Sequence, residues 1–157
     1  MTDRARTVEV GPRDGLQNEP VVVSIPDRIA FVERLIDAGC SSIEVGSFVS
    51  PKWVPQMAQT AEVLGTVAGY EACRFPVLVP NEQGLELALQ AGAKEIAIFA
   101  AASETFSQRN INCSVATSID RFRPVAERAQ AEGLRMRGYI SCVLHPDASR
   151  TAIVQQG

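Results

Sequence analysis

The chain is poor in the residues from which most metal and redox sites are built. It has one histidine, His145, in 157 residues, too few for the His clusters of most zinc enzymes. A Ser-His-Asp triad is formally possible, but no spacing favours it. Its four cysteines, Cys40, Cys73, Cys113 and Cys142, include no C-x-x-C pair, which disfavours a zinc knuckle or a thioredoxin-like motif. Reduced thiols in a cytoplasm are the expectation. No apolar run approaches the roughly 20 residues that span a bilayer. The first predicted strand starts so close to Met1 that no room is expected for a targeting peptide. A net charge of −3 with both signs mixed gives no footprint for nucleic acid. No G-x-G-x-x-G follows the first strand, which removes the commonest doubly wound reading.

Hydrophobic residues make up 46% of the chain, enough for a real core. Strand and helix patterns alternate throughout. Strands are predicted at 7–10, 43–45, 75–79, 95–99 and 135–142. The first helix starts at Ser24, a candidate cap, with Pro26 in its first turn. It carries Ile29, Val32, Leu35 and Ile36 at helical spacing and ends at Gly39. Further helices are predicted at 57–67, 83–91 and 118–132, the last with Pro124 inside it. Residues 46–56 and 100–117 read as loops.

A weak repeat supports this. Leu35-Ile36-Asp37-Ala38-Gly39-Cys40-Ser41-Ser42-Ile43-Glu44-Val45 parallels Ala88-Leu89-Gln90-Ala91-Gly92-Ala93-Lys94-Glu95-Ile96-Ala97-Ile98, with a looser copy around Gly133. Repeated β/α units imply parallel strands. Long polar loops after strands and short links after helices fit a barrel with its site on the carboxyl face. About five strands are legible, where a complete barrel has eight. The fold class is therefore α/β, the first half of a (β/α)₈ TIM barrel, in one partial domain spanning 1–157.

The candidate chemistry clusters after the first strand, in Gly11-Pro12-Arg13-Asp14-Gly15-Leu16-Gln17-Asn18-Glu19. Asp14 can ligate a hard divalent cation, and Arg13 can stabilise a developing oxyanion. The competing reading is a plain Pro-x-Asp-Gly turn. Glu44, flanked by Ile43 and Val45, points to the opposite face from both. Inside a barrel it must be paired or bound, so an ion pair competes with catalysis. Glu9 reads as structural, with Arg137 or Lys94 as partner. Lys52 and Trp53 could hold a phosphate and a flat ring, or Trp53 could simply anchor its loop. Ser103, Ser107, Asn110 and Asn112 could bind a polar ligand or form a solvated loop. His145 sits in a Pro-Asp turn and reads as non-functional.

These stretches resemble the 3-hydroxy-3-methylglutaryl-CoA lyase family. The resemblance rests on residues 8–19, on Ser47-Phe48-Val49-Ser50-Pro51-Lys52-Trp53-Val54-Pro55-Gln56-Met57, and on Pro76-Val77-Leu78-Val79-Pro80-Asn81. It extends to Asn110-Ile111-Asn112-Cys113-Ser114 and Arg137-Gly138-Tyr139-Ile140-Ser141-Cys142. It covers 7–144, with 145–157 a divergent tail. It implies a TIM barrel that uses Mg²⁺ or Mn²⁺ to cleave hydroxymethylglutaryl-CoA to acetyl-CoA and acetoacetate, as in leucine catabolism. By resemblance Asp14 is a metal ligand, Arg13 a catalytic and substrate-binding residue, and Glu44 a catalytic carboxylate. Gln17 and Asn112 are substrate-binding. The family's His-x-His pair, its Asn ligand and its reactive loop Cys lie on later strands and have no counterpart here. The expected partner is an acyl-CoA, with homo-oligomerisation. Two other readings stay open: a non-catalytic, self-associating half-barrel, and a superfamily synthase acting on a 2-oxo acid.

Overall fold

A computed structural model describes residues 5–144. The tail at 145–157 and His145 lie outside the described residues. Four parallel strands form one sheet in the order β1-β2-β3-β4. They are β1 (Gly46–Ser47), β2 (Val77–Leu78), β3 (Glu95–Ala101) and β4 (Arg135–Ser141). Each neighbour in the sheet is also the next strand in the chain, with one α-helix between, or two between β3 and β4. That winding lacks the reversal of strand order that marks a doubly wound sheet and is the winding of a barrel.

The helices are α1 (Ile25–Asp37), α2 (Thr60–Val67), α3 (Glu82–Gln90), α4 (Glu104–Ile111) and α5 (Val115–Ala131). Ser24 caps α1, its hydroxyl accepting from the Asp27 amide at 3.3 Å, as the sequence predicts. Asn81, Ser103 and Ser114 cap α3, α4 and α5 in the same way. The three repeat glycines end their helices with φ of +90° at Gly39, +78° at Gly92 and +70° at Gly133, a left-handed turn that favours a residue without Cβ.

The regular strands differ from the predicted ones. Strand one is reduced to a single parallel bridge, Glu9 to Ile43, and Ser42 bridges Arg74, so the ladder of strand two itself sits at Gly46–Ser47. Residues 11–15 wind into a π-helical turn in which the Asp14 amide bonds Val10 O at 2.6 Å, where a loop was expected. The helix predicted at 57–67 splits into a 3₁₀ turn, Pro55–Met57, and α2, broken at Gln59 with φ +58°. The predicted loop at 100–117 contains α4, which its serine cap and acidic first turn support.

The core lies between the sheet and the helices. Val32, Val63, Val67, Val77, Ile96, Val125 and Ala129 are fully buried there. Using about 25 cal/mol per Å², burying each such aliphatic side chain contributes about 1.5–3 kcal/mol. Thr60 joins α2 to the sheet and to α1. Its Oγ donates to Met57 O at 2.8 Å and accepts from the Ser47 amide at 3.3 Å and from Arg28 at 3.4 Å. The other sheet face carries two pairs across strands, Glu95 with Arg137 and Glu44 with Tyr139. Beyond β4 the sheet has no further strand among the described residues. Between β4 and α5 runs an open groove of about 760 Å³, lined by Ile98, Phe122, Leu134, Met136 and Ile140 among others.

Gly46 packs so closely under Thr60 that an added Cβ would stand 2.5 Å from Thr60 Oγ1. Gly65, in α2, has nothing within 4 Å of an added Cβ. Gly46→Ala is therefore expected to lose about 1–3 kcal/mol of stability, and Gly65→Ala to gain about 0.5–1 kcal/mol. Urea unfolding of the two variants checks both signs.

Candidate active site

The polar groups at the carboxyl ends of the strands converge on Glu44. Its backbone is fixed first: the Glu44 amide bonds Glu9 O at 2.8 Å and the Ile43 amide bonds Arg74 O at 2.9 Å. Strand alternation then turns its side chain away from the buried Ile43 and Val45. The carboxylate is 0% exposed, and a buried carboxylate needs donors at both oxygens. Oε1 accepts from Nε of Arg13 in an ion pair. Oε2 accepts from the Tyr139 hydroxyl at 2.7 Å. The Arg13 guanidinium lies over the Tyr139 ring, 5.9 Å from its centroid, within cation–π range. Three residues from strand regions far apart in sequence therefore form one closed unit.

The π-helical turn sets Arg13 and Asp14 side by side. Arg13 Nη1 donates to Asp14 Oδ1 at 2.7 Å. The Arg13 side chain is 12% exposed and that of Asp14 55%, so Asp14 faces the open side of the site. The third guanidinium nitrogen, Nη2, makes no hydrogen bond among the described residues and can meet a bound anion. Gln17 lies on the same segment, and its Oε1 is buried without a partner. An orphaned acceptor of this kind suits a donor or a cation brought by a ligand.

Tyr139 was not among the candidates read from the sequence. The signal was there: Arg137, Tyr139 and Ser141 alternate along the last strand and share one face. Burial pushes the Tyr139 phenol up to about 12, its hydrogen bond to Glu44 and that carboxylate's charge adding to the shift. Arg137 and Arg13 pull the other way.

Other candidates fall elsewhere. Glu9 Oε1 accepts from the Gly11 amide at 2.7 Å, and Arg137 pairs instead with Glu95 at 3.7 Å. The expected Glu9–Arg137 or Glu9–Lys94 pair is thus replaced by a local turn bond that a two-residue spacing allows. Asn112 ends α4 in the left-handed region, φ +51°. Its Oδ1 accepts from Gln108 at 2.8 Å, so it shares no hydrogen bond with the Arg13 unit. The serines of that segment serve the fold: Ser103 caps α4 and Ser107 bonds Cys113 O at 2.8 Å. Trp53 is 87% exposed, so it does not anchor its loop in the core.

No group of three or more His, Cys, Asp or Glu able to hold a metal occurs among the described residues. Asp14 and the Gln17 amide oxygen are two oxygens, where an octahedral cation takes about six. The described residues do not by themselves constitute a metal site.

A sequence model of the HMGL-like family matches residues 4–156. The chain belongs to that family. It is 57% identical to the 3-hydroxy-3-isohexenylglutaryl-CoA/hydroxy-methylglutaryl-CoA lyase of Pseudomonas aeruginosa over 92% of its own length and 48% of the relative's. The crystal structure of hydroxymethylglutaryl-CoA lyase from Pseudomonas aeruginosa superposes with a TM-score of 0.90 at 52% identity, covering 96% of this chain and 51% of that one. An HMG-CoA lyase from Acinetobacter baumannii, in complex with coenzyme A and 3-methylmalate, matches with a TM-score of 0.84 at 31% identity, over 94% and 50%. The chain spans about half the length of the relatives it matches. The sheet is accordingly half of a TIM barrel, as the repeat and strand count predict.

Tyr139 holds its proton more tightly folded than unfolded. Its contribution to stability is complete below pH 10 and is lost as pH rises from the ordinary tyrosine value of 10.0 through about 12. In a Tyr70→Phe background, where Tyr139 is the one phenol left, the ultraviolet phenolate signal of the folded chain should have its midpoint near 12. A midpoint near 10.0 would remove the Glu44 hydrogen bond from the account.

Proposed function

We infer that the chain is the amino-terminal half of a lyase that cleaves 3-hydroxy-3-methylglutaryl-CoA to acetyl-CoA and acetoacetate. One observation carries this reading. The Arg13–Glu44–Tyr139 unit stands at the carboxyl face of a half-barrel that is 57% identical to such a lyase. A retro-Claisen cleavage deprotonates a tertiary alcohol, breaks the adjacent carbon–carbon bond and leaves negative charge on the thioester oxygen of the departing enolate. Arg13 is the group for that charge. Glu44 takes its Nε and its guanidinium carbon sits over the Tyr139 ring, so the guanidinium is pre-aimed, with Nη2 left for the substrate. Preorganised donors of this kind need no rearrangement when charge develops. Both Glu44 oxygens are engaged, which makes Glu44 a positioning residue and not a free base. Mg²⁺ or Mn²⁺ belongs to this reading as the Lewis acid that polarises the substrate oxygens. Asp14 and Gln17 would supply part of its oxygen shell, and the remainder would come from outside these residues.

The substrate is an acyl-CoA, supported by the relative crystallised with coenzyme A. A cytoplasmic setting, a role in leucine catabolism and homo-oligomerisation belong to the same proposal. The free edge of β4 and the apolar groove beside it favour association.

In the complete enzyme, Arg13→Gln should lower kcat by about 10²–10³ and move KM far less. Steady-state kinetics on the thioester substrate checks this, and a near-normal kcat would exclude Arg13 from transition-state stabilisation. The 157-residue chain alone should yield no acetoacetate with Mg²⁺ or Mn²⁺ and should scatter light as a species larger than 16.9 kDa. Turnover by a monomer would refute the half-barrel reading.

A further inference from the structure

The opposite end of the sheet holds a second concentration of charge that the proposed lyase chemistry does not use. The amino ends of the strands surround a cavity of about 730 Å³ lined by Ala5, Arg6, Thr7, Ser41, Ala72, Arg74 and Arg135. Three arginines distant in sequence meet there, and no Asp or Glu lines the cavity. Arg137 stands next to it in the sheet, two residues along β4 from Arg135 and on the same face.

One carboxylate serves this group. Glu95, the register partner of Arg135, is buried and lies 3.3 Å from Arg74 Nη1 and 3.7 Å from Arg137 Nη2. Its Oε2 still lacks a hydrogen bond. Arg6 and Arg135 form no ion pair among the described residues. Two guanidiniums, Arg74 and Arg137, thus share one carboxylate, and Arg6 and Arg135 add two more positive charges at the cavity, a local excess of positive charge in a chain whose net charge is −3. Like charges held together at a concave surface reinforce one another's potential and concentrate anions. Guanidinium forks match the paired oxygens of a phosphoryl group, and the Thr7 and Ser41 hydroxyls add neutral donors on the cavity wall.

We propose that this cavity binds a small polyvalent oxyanion of the phosphate or diphosphate class, at the end of the sheet opposite the Arg13–Glu44–Tyr139 unit. Arg6 and Arg135 are its main contacts, because Arg74 and Arg137 are partly neutralised by Glu95. The cavity is wider than one phosphate needs, which favours diphosphate. This site stands independently of the lyase reading, since none of its residues belongs to that unit.

The test is a titration of the ¹⁵N-labelled 157-residue chain with sodium pyrophosphate at ionic strength held constant with sodium chloride. The amides of Thr7, Ser41 and Arg135 should shift saturably, with an apparent Kd below about 1 mM. Arg6→Gln/Arg135→Gln should weaken binding about tenfold or more, while Arg6→Lys/Arg135→Lys should retain most of it. Arg6 and Arg135 are exposed and without an ion pair among the described residues, so both doubles should keep the wild-type circular dichroism spectrum. Shifts that fail to saturate, shifts centred on Gly15 and Asn18 at the other end, or equal binding by the glutamine double variant would each overturn the proposal. Loss of lyase activity in the complete enzyme would leave all these readings unchanged, so the two conclusions fail separately.

Discussion

A single fully buried carboxylate organises the carboxyl face of this half-barrel. Glu44 has lost all contact with solvent, and an unpaired charge in that position would be strongly destabilising. The fold answers with one donor for each oxygen: Arg13 from the turn after strand one and Tyr139 from the last strand. Satisfying Glu44 therefore ties together segments 31 and 95 residues away. The same two bonds aim the guanidinium that the proposed chemistry needs. Stability and function thus rest on one set of contacts, and the cost of burying Glu44 is offset by the partners that make the site rigid.

The sheet separates its tasks by face and by end. Its outer face is apolar and packs against the helices, with Val77, Ile96 and Val125 buried between them. Its inner face is ionic. At the carboxyl end Glu44 and Asp14 both pair with Arg13. At the amino end Arg6 and Arg135 have no ion-pair partner among the described residues. A unit of this length leaves two open edges and an apolar groove beside β4, which agrees with a chain spanning about half the length of its relatives.

Much of this was legible in the sequence where local physics decides. The Ser24 cap, the three glycine stops and the parallel β/α order follow from short-range rules, and the repeat around Gly39 and Gly92 carries the barrel winding. Arg13, Asp14 and Glu44 were legible because charged residues at strand ends have few roles. Two things were hidden. The π-helical turn at 11–15 is imposed by backbone bonds to Val10 O, and no residue type announces such a turn. Tyr139 reads as an ordinary strand residue until the sheet order brings it to Glu44, 95 positions away. The α4 helix was missed because its composition is polar, yet Ser103 and Glu104 carried its start signal. For Glu44 the sequence leaves an ion pair and a catalytic role open; the structure shows the ion pair with Arg13, and a part in catalysis belongs to the proposed reading.

The most direct test of Glu44 as the organising group is a double-mutant cycle on the folded chain, with Glu44→Gln, Tyr139→Phe and the double variant compared by denaturant unfolding at neutral pH. Groups sharing a buried hydrogen bond couple by about 0.5–3 kcal/mol. The account predicts a coupling in that range, with the second substitution costing much less once the first is made. Strictly additive losses would mean that Glu44 and Tyr139 are independent, and that the carboxyl face is not built around this carboxylate.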